Sequence, residues 1–136
     1  MSLVRPMRTV ILAGLAILGA DVAGARDEPK SLSALDRIQL GEWELRFRDD
    51  VPRRRLCVHH GRDFIQLRHP RKDCSQYVVE DLADRVSVQY TCRGDGYGLT
   101  NIRVESPALL QVESQGIVVG SPYHVSAEAR RVGTCR

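Results

Sequence analysis

Alternation between hydrophobic and polar positions is the dominant pattern of this chain. Every second side chain from residue 86 to residue 92 is hydrophobic, and the alternation resumes at residues 100–104 after a turn at residues 94–98. A period of two is typical of a strand with one face in a core and the other in water. The turn contains three glycines, which adopt positive φ at little steric cost. The pattern predicts a β-hairpin over residues 84–106.

Similar alternation predicts strands at both ends of the chain. Trp43, Leu45 and Phe47 share one face of a strand that opens at Gly41, and a last strand is expected over residues 123–131. Further strands are predicted at 54–58, 76–80 and 109–119, the last with a bulge or break at Gly116, and short helices at 31–38 and 61–67. Short strands separated by turn residues predict an all-β fold, an antiparallel meander sheet forming a half-barrel or small sandwich, with one or two short helices.

The N-terminus has the pattern of a secretory signal peptide. Arg5 and Arg8 precede an apolar run from Val10 to Ala20, and small residues follow at 23–25. The apolar run is much shorter than the roughly 20 residues that span a bilayer, which disfavours a membrane anchor. We therefore expect residues 1–25 to be a signal peptide and residues 26–136 to form a single domain, periplasmic or secreted, with no membrane span after cleavage.

Four cysteines lie in the expected mature chain, and an exported protein with an even number of cysteines is expected to form disulfides. No Cys-x-x-Cys pair of the kind found in zinc sites is present. If residues 76–80 pair antiparallel with the strand from Val86, Cys74 lies opposite Cys92. The expected bridges are therefore Cys74–Cys92 and Cys57–Cys135, the second anchoring the last strand against the strand that carries Cys57.

Charge is nearly balanced over the whole chain but concentrated in one stretch. The formal net charge is +3 and aromatic residues make up 5%, which together disfavour a nucleic-acid binder. Between residues 53 and 72, however, basic residues far outnumber the single acid Asp63. Arginine binds phosphate groups with two parallel hydrogen bonds, so this stretch is a candidate surface for an anionic partner. The surface comprises Arg53, Arg54, Arg55, Arg68, Arg71 and Lys72. The alternative is a solvated strand edge that discourages aggregation.

Candidate catalytic and metal-binding patterns are weak. The four histidines, His59, His60, His69 and His124, show no His-x-His or His-x-x-x-His spacing, so surface residues are expected rather than a metal site. No Gly-x-Ser-x-Gly motif is present, and paired cysteines leave no thiolate nucleophile. Trp43 is expected in the core rather than in a ligand cavity. No catalytic residue, metal or cofactor is assigned.

The order of the landmark residues resembles a known family. The N-terminal apolar segment, Gly41-x-Trp43-Glu44, the cysteines at 57, 74 and 92, and the terminal Gly133-x-Cys135 are similar to the secreted bacterial proteins grouped as domain-of-unknown-function family 3617. The chain departs from them after Cys57, where Val-His-His-Gly-Arg replaces a Thr-Pro-Glu type helix start. The resemblance implies an exported bacterial protein of β architecture and transfers no functional residue.

These observations favour a binding function over a catalytic one. We expect an exported binding or envelope interaction module whose partner is an anionic envelope component or a small apolar ligand. A carrier of an apolar ligand requires an enclosed cavity of several hundred Å³. A small hydrolase-like enzyme with an unrecognised site and an inhibitor of a secreted enzyme are the alternatives.

Overall fold

The structure is a computed structural model and describes residues 30–70 and 73–136. The predicted signal peptide, residues 1–25, lies outside the described residues, as do Arg71 and Lys72 of the predicted anionic-partner surface. No helix within the described ranges is long and apolar enough to cross a membrane.

Seven antiparallel strands form one open sheet. They are β1 Gly41–Phe47, β2 Arg54–Val58, β3 Cys74–Asp81, β4 Arg85–Cys92, β5 Gly96–Ser106, β6 Leu109–Val118 and β7 Ser121–Gly133. The order across the sheet is β2-β1-β7-β6-β5-β4-β3. Strands β3 to β7 thus form a meander, and the N-terminal hairpin β1–β2 joins it along β7. The predicted all-β antiparallel fold is confirmed, and a single sheet replaces the sandwich alternative.

Two short turns of 3-10 helix occupy the predicted helical segments. They span Leu35–Arg37 and Gly61–Phe64. Ala34 is the residue before the first turn, and the Ser31 hydroxyl bonds the Asp36 carboxylate. Pro70 follows the second segment, where a proline restricts the residue before it to extended backbone.

One face of the sheet carries the core. Every second side chain along the strands points to this face, and the segments around the two 3-10 turns pack onto it. Trp43 on β1 meets Phe64 edge to face with ring centroids 5.2 Å apart, and neither side chain is exposed. The opposite face, which we call the outer face, carries mainly polar and charged side chains and meets solvent. The alternation in the sequence therefore assigned the buried face correctly.

Gly116 does not interrupt its strand. Strand β6 runs through Gly116, which lies directly opposite Gly98 of β5. A side chain at Gly116 would overlap the Tyr97 carbonyl oxygen, so the glycine permits close backbone approach rather than a bulge. Register shifts occur elsewhere, near Val79 in β3 and Glu105 in β5.

Both predicted disulfides are present. Cys74 lies directly opposite Cys92 in the β3–β4 ladder, with their Cα atoms 4.3 Å apart. Cys57 and Cys135 are bridged with a Cα separation of 5.5 Å. The second bridge does not join neighbouring strands as expected, because β1 lies between β2 and β7. It spans the outer face near Glu42, whose Cα partners are Cys57 on one side and Gly133 on the other.

Candidate binding cleft and buried polar chain

An open cleft lies between the two edges of the sheet. Its walls include Arg54 and Leu56 of β2 and Gln76 and Val78 of β3, and its volume is about 1390 Å³. Since β2 and β3 are the two outermost strands, the sheet curls so that its edges face each other across the cleft, as in the predicted half-barrel. The segment after β2 lines the cleft between them, from His59 to Pro70.

The core beside this cleft is filled with side chains. Phe64 and Ile65 of the intervening segment are fully buried against the sheet. Among the described residues every buried side-chain nitrogen and oxygen has a hydrogen-bond partner. The open shape of the cleft differs from the enclosed apolar cavity that a carrier of a small apolar ligand requires.

The predicted basic surface is divided between the two faces of β2. Arg53 and Arg55 lie on the outer face, where their guanidinium groups contact Glu44 at 3.3 Å and Glu42 at 3.2 Å. Arg54 is the direct partner of Leu45 in the ladder and therefore shares the core face. Its Nη1 donates to the carbonyl oxygen of Leu67 at 3.5 Å. Only Arg54 of these three arginines points into the cleft.

Arg68 follows Leu67, the residue whose carbonyl oxygen accepts from Arg54. Its Cζ stands 5.8 Å from the centre of the Tyr123 ring, a cation–π geometry. Partial burial, and secondarily the positive charge of Arg68, lower the pKa of Arg54 below its ordinary value. Within the described part of the chain neither arginine has a carboxylate within 4.0 Å. The predicted surface is thus reduced, in the described residues, to two neighbouring cations that carboxylates do not neutralise.

The histidines take three different environments. His59 and His60 lie in the bend after β2, and both line the cleft. His60 Nδ1 contacts Asp63 Oδ1 at 2.9 Å, while Asp63 Oδ2 accepts the backbone N–H groups of both histidines. The histidine–carboxylate pair is therefore part of a capping box at the 3-10 turn. His124 is exposed on the outer face. Within residues 30–70 and 73–136 no three metal-binding side chains come together.

His69 is buried, which corrects the expectation that all four histidines lie on the surface. Its exposed fraction is 1%, and its ring meets that of Tyr90 edge to face at 5.3 Å. Nδ1 lies 3.0 Å from the Tyr90 hydroxyl, and Nε2 lies 3.3 Å from the carbonyl oxygen of Asp95. The Tyr90 hydroxyl continues to that of Tyr123 at 2.8 Å. Burial, and then the hydrogen bond with Tyr123, raise the pKa of Tyr90.

This buried chain of polar groups extends across two more strands. The Tyr123 hydroxyl lies 3.2 Å from Ser114 Oγ, which lies 2.8 Å from Thr100 Oγ1. Thr100 donates to the carbonyl oxygen of Ile65 at 2.7 Å. Because a carbonyl only accepts, the single hydroxyl proton of Thr100 is used there and Ser114 must donate to Thr100. The chain fastens the segment from Ile65 to His69 onto strands β4 to β7.

Sequence reasoning missed this chain although a signal was present. Four hydroxyl-bearing residues occupy inward positions on strands with alternating hydrophobic and polar side chains: Tyr90, Thr100, Ser114 and Tyr123. At such a position a hydroxyl requires a partner inside the protein. Several hydroxyls at inward positions on neighbouring strands therefore predict an internal hydrogen-bond network. The missing partner was His69, whose burial depends on the path of the segment between β2 and β3.

Comparison of the chain with protein-family models, with curated proteins and with solved structures finds no match. The resemblance to family 3617 therefore rests on the sequence motifs alone.

Proposed function

We propose that the protein is an exported binding module that takes its ligand in the cleft between β2 and β3. The cleft is the observation that carries this proposal, because it is a concave surface open to solvent whose walls carry basic and apolar groups together. It holds Lys30, Arg54 and Arg62, and the acids Asp63 and Asp73, beside Leu56 and Val78. The Asp63 carboxylate is already engaged by His60 and by two backbone N–H groups, so the remaining basic groups suit a partner with an anionic group better than a wholly apolar one.

The two disulfides support a site of action outside the cytoplasm. Bridges of this kind persist in oxidising compartments such as the periplasm and the extracellular space. Residues 1–25 supply the export signal in this proposal, and the resemblance to family 3617 makes the host a bacterium. The protein then meets its partner, an envelope component, in the periplasm or after secretion.

Photocrosslinking from two matched positions tests the proposal. A photoreactive amino acid replaces either His60, which is exposed in the cleft, or His124, which is exposed on the outer face. We expect irradiation with an envelope extract to give a discrete adduct from position 60, reduced by excess unlabelled protein, and much less from position 124. Equal labelling from the two positions, or labelling from position 124 alone, would rule out the cleft as the ligand site.

A further inference from the structure

Arg54, which lines the cleft, and Arg68 form a pair of like charges. Arg54 and Arg68 flank the backbone of Leu67, to whose carbonyl oxygen Arg54 donates. Both burial and the neighbouring positive charge disfavour the charged form of Arg54. Two like charges near each other repel, and a bound anion relieves this repulsion.

Three other arginines nearby have either a carboxylate partner or two hydrogen-bond partners. Arg53 and Arg55 contact Glu44 and Glu42. Arg62 donates to Gln76 Oε1 at 2.7 Å and to the backbone carbonyl of Lys30. Within the described residues, Arg54 makes one hydrogen bond, the 3.5 Å contact with a carbonyl, and Arg68 contacts the face of an aromatic ring. Both residues are exposed to solvent.

We propose that Arg54 and Arg68 together bind one phosphate group where Arg54 lines the cleft, an inference that rests on the proposed function and names the chemistry of its ligand. A guanidinium presents parallel N–H donors that match two phosphate oxygens. Two guanidinium groups balance the charge of a terminal phosphate, which is about −1.5 to −2 at neutral pH. The cation–π contact holds Arg68 against Tyr123, so less side-chain freedom is lost on binding.

The test compares four variants that each remove one positive charge. Arg54→Gln and Arg68→Gln alter the proposed site, whereas Arg53→Gln and Arg55→Gln alter the outer-face side chains on either side of Arg54. The probes are inorganic phosphate, followed by calorimetry, and phosphatidylcholine vesicles with and without phosphatidic acid, followed by sedimentation. We expect the first two variants to bind roughly tenfold more weakly and the two controls to stay within about twofold of the unmodified protein.

Each outcome decides the proposal. If the Arg54 and Arg68 variants bind inorganic phosphate more weakly than the two controls do, the ligand is a soluble phosphate compound. If this difference is seen with phosphatidic acid vesicles alone, the ligand is a lipid headgroup. Equal losses in all four variants would mean diffuse attraction by surface charge and would overturn the proposal, as would the absence of binding to both probes. Arg54→Lys keeps the charge but not the paired donors, so it should bind more weakly than the unmodified protein; full affinity would contradict bidentate recognition.

The experiments distinguish an error in the phosphate chemistry from an error in the location of the ligand site. If photocrosslinking from position 60 still gives its adduct while neither phosphate probe binds, the cleft keeps its role and only the phosphate chemistry is wrong. Thermal unfolding of each variant, expected within a few degrees of the unmodified protein, shows that lost binding is not lost folding.

Discussion

The Tyr90 hydroxyl lies at the centre of the buried polar chain, because it joins the ring of His69 to the hydroxyl of Tyr123. Both partners belong to segments that approach the sheet from elsewhere in the chain. Each hydrogen bond in the chain contributes little net free energy to folding. A buried hydroxyl group without a partner, however, costs considerably more.

Replacing Tyr90 with Phe should lower the free energy of unfolding by about 1–3 kcal/mol, because it leaves buried polar groups of His69 and Tyr123 without their partner. Tyr97→Phe is the control, since Tyr97 is half exposed on the outer face and should change stability little. Chemical denaturation at neutral pH measures both. A loss in the Tyr97 variant as large as in the Tyr90 variant would contradict the role given to the chain.

The raised pKa of Tyr90 adds a pH dependence to the same experiment. The folded state favours the protonated phenol, so its stabilising contribution is complete below the ordinary phenol pKa of about 10 and is lost as the pH rises above it. Denaturation between pH 9 and about 11 should show a steeper loss for the unmodified protein than for Tyr90→Phe. Parallel slopes would mean that Tyr90 does not titrate differently in the two states.

Gly98 provides the space that the two tyrosine hydroxyls occupy. A methyl group there would overlap the Tyr123 hydroxyl and the end of the Tyr90 ring. Gly98→Ala should therefore destabilise the protein by about 1–3 kcal/mol through overpacking. Gly133→Ala is the control, because a methyl group at Gly133 would meet nothing within 4 Å. Thermal unfolding of both variants checks this, and an unchanged Gly98→Ala protein would show that the tyrosines can move aside.

At the scale of elements, the two disulfides act on different parts of the sheet. Cys74–Cys92 staples the edge strand β3 to β4, whereas Cys57–Cys135 ties the end of β7 to the opposite edge strand β2 across β1. The sequence separations are 18 and 78 residues. A longer loop loses more conformational entropy when closed in the unfolded chain.

Loss of the long bridge should therefore cost more than loss of the short one. The chain-entropy relation gives roughly 4.5 kcal/mol for a Cys57→Ser, Cys135→Ser variant and roughly 3 kcal/mol for a Cys74→Ser, Cys92→Ser variant. Urea denaturation of the two double variants under oxidising conditions compares them. Peptide mapping of the non-reduced protein is the independent check, and a peptide linking Cys57 to Cys74 or Cys92 would contradict the strand register.

On the outer face, Glu44 lies between two arginines. The hydrogen bond from Arg46 at 3.1 Å is the main cause of the lowered pKa of Glu44, and Arg53 adds a favourable charge. A carboxylate with a lowered pKa stabilises the fold above its ordinary value of 4.5, and this contribution is lost as the pH falls through the lowered value.

Glu44→Gln should lower stability slightly at pH 7, because the ion pairs are close to solvent, and should reduce the dependence of stability on pH below about 4.5. Glu113→Gln is the control, since Glu113 is exposed on the same face and has no ion pair among the described residues. Urea denaturation at several acidic pH values tests this. Identical slopes in the Glu44 variant and the unmodified protein would show that the ion pairs contribute nothing.

At the scale of the whole molecule, disulfide formation should depend on export. Deleting residues 1–25 is expected to keep the protein in the cytoplasm, where its four thiols stay reduced and the domain loses the stabilisation of both bridges. Fractionation followed by thiol labelling under denaturing conditions measures this, with the full-length chain as the control. Efficient export of the shortened chain would contradict the signal-peptide prediction.

The sequence by itself determined the strands and the bridge between Cys74 and Cys92. Both depend on local pattern, because alternation assigns each side chain to a face and a short connection sets the register of an antiparallel pair. It also indicated the buried positions of Trp43 and Leu45. What it did not determine is the position of β1 between β2 and β7, which depends on pairing between the two ends of the chain.

Only the tertiary structure decided the candidate site. Arg53, Arg54 and Arg55 are alike in the sequence, and it is the pairing of β2 with β1 that turns Arg54 toward the cleft and leaves the other two beside Glu44 and Glu42. The burial of His69 was likewise decided by the path of its segment across the sheet. Contacts between residues distant in the chain cannot be obtained from a period of two, which carries information about neighbours only.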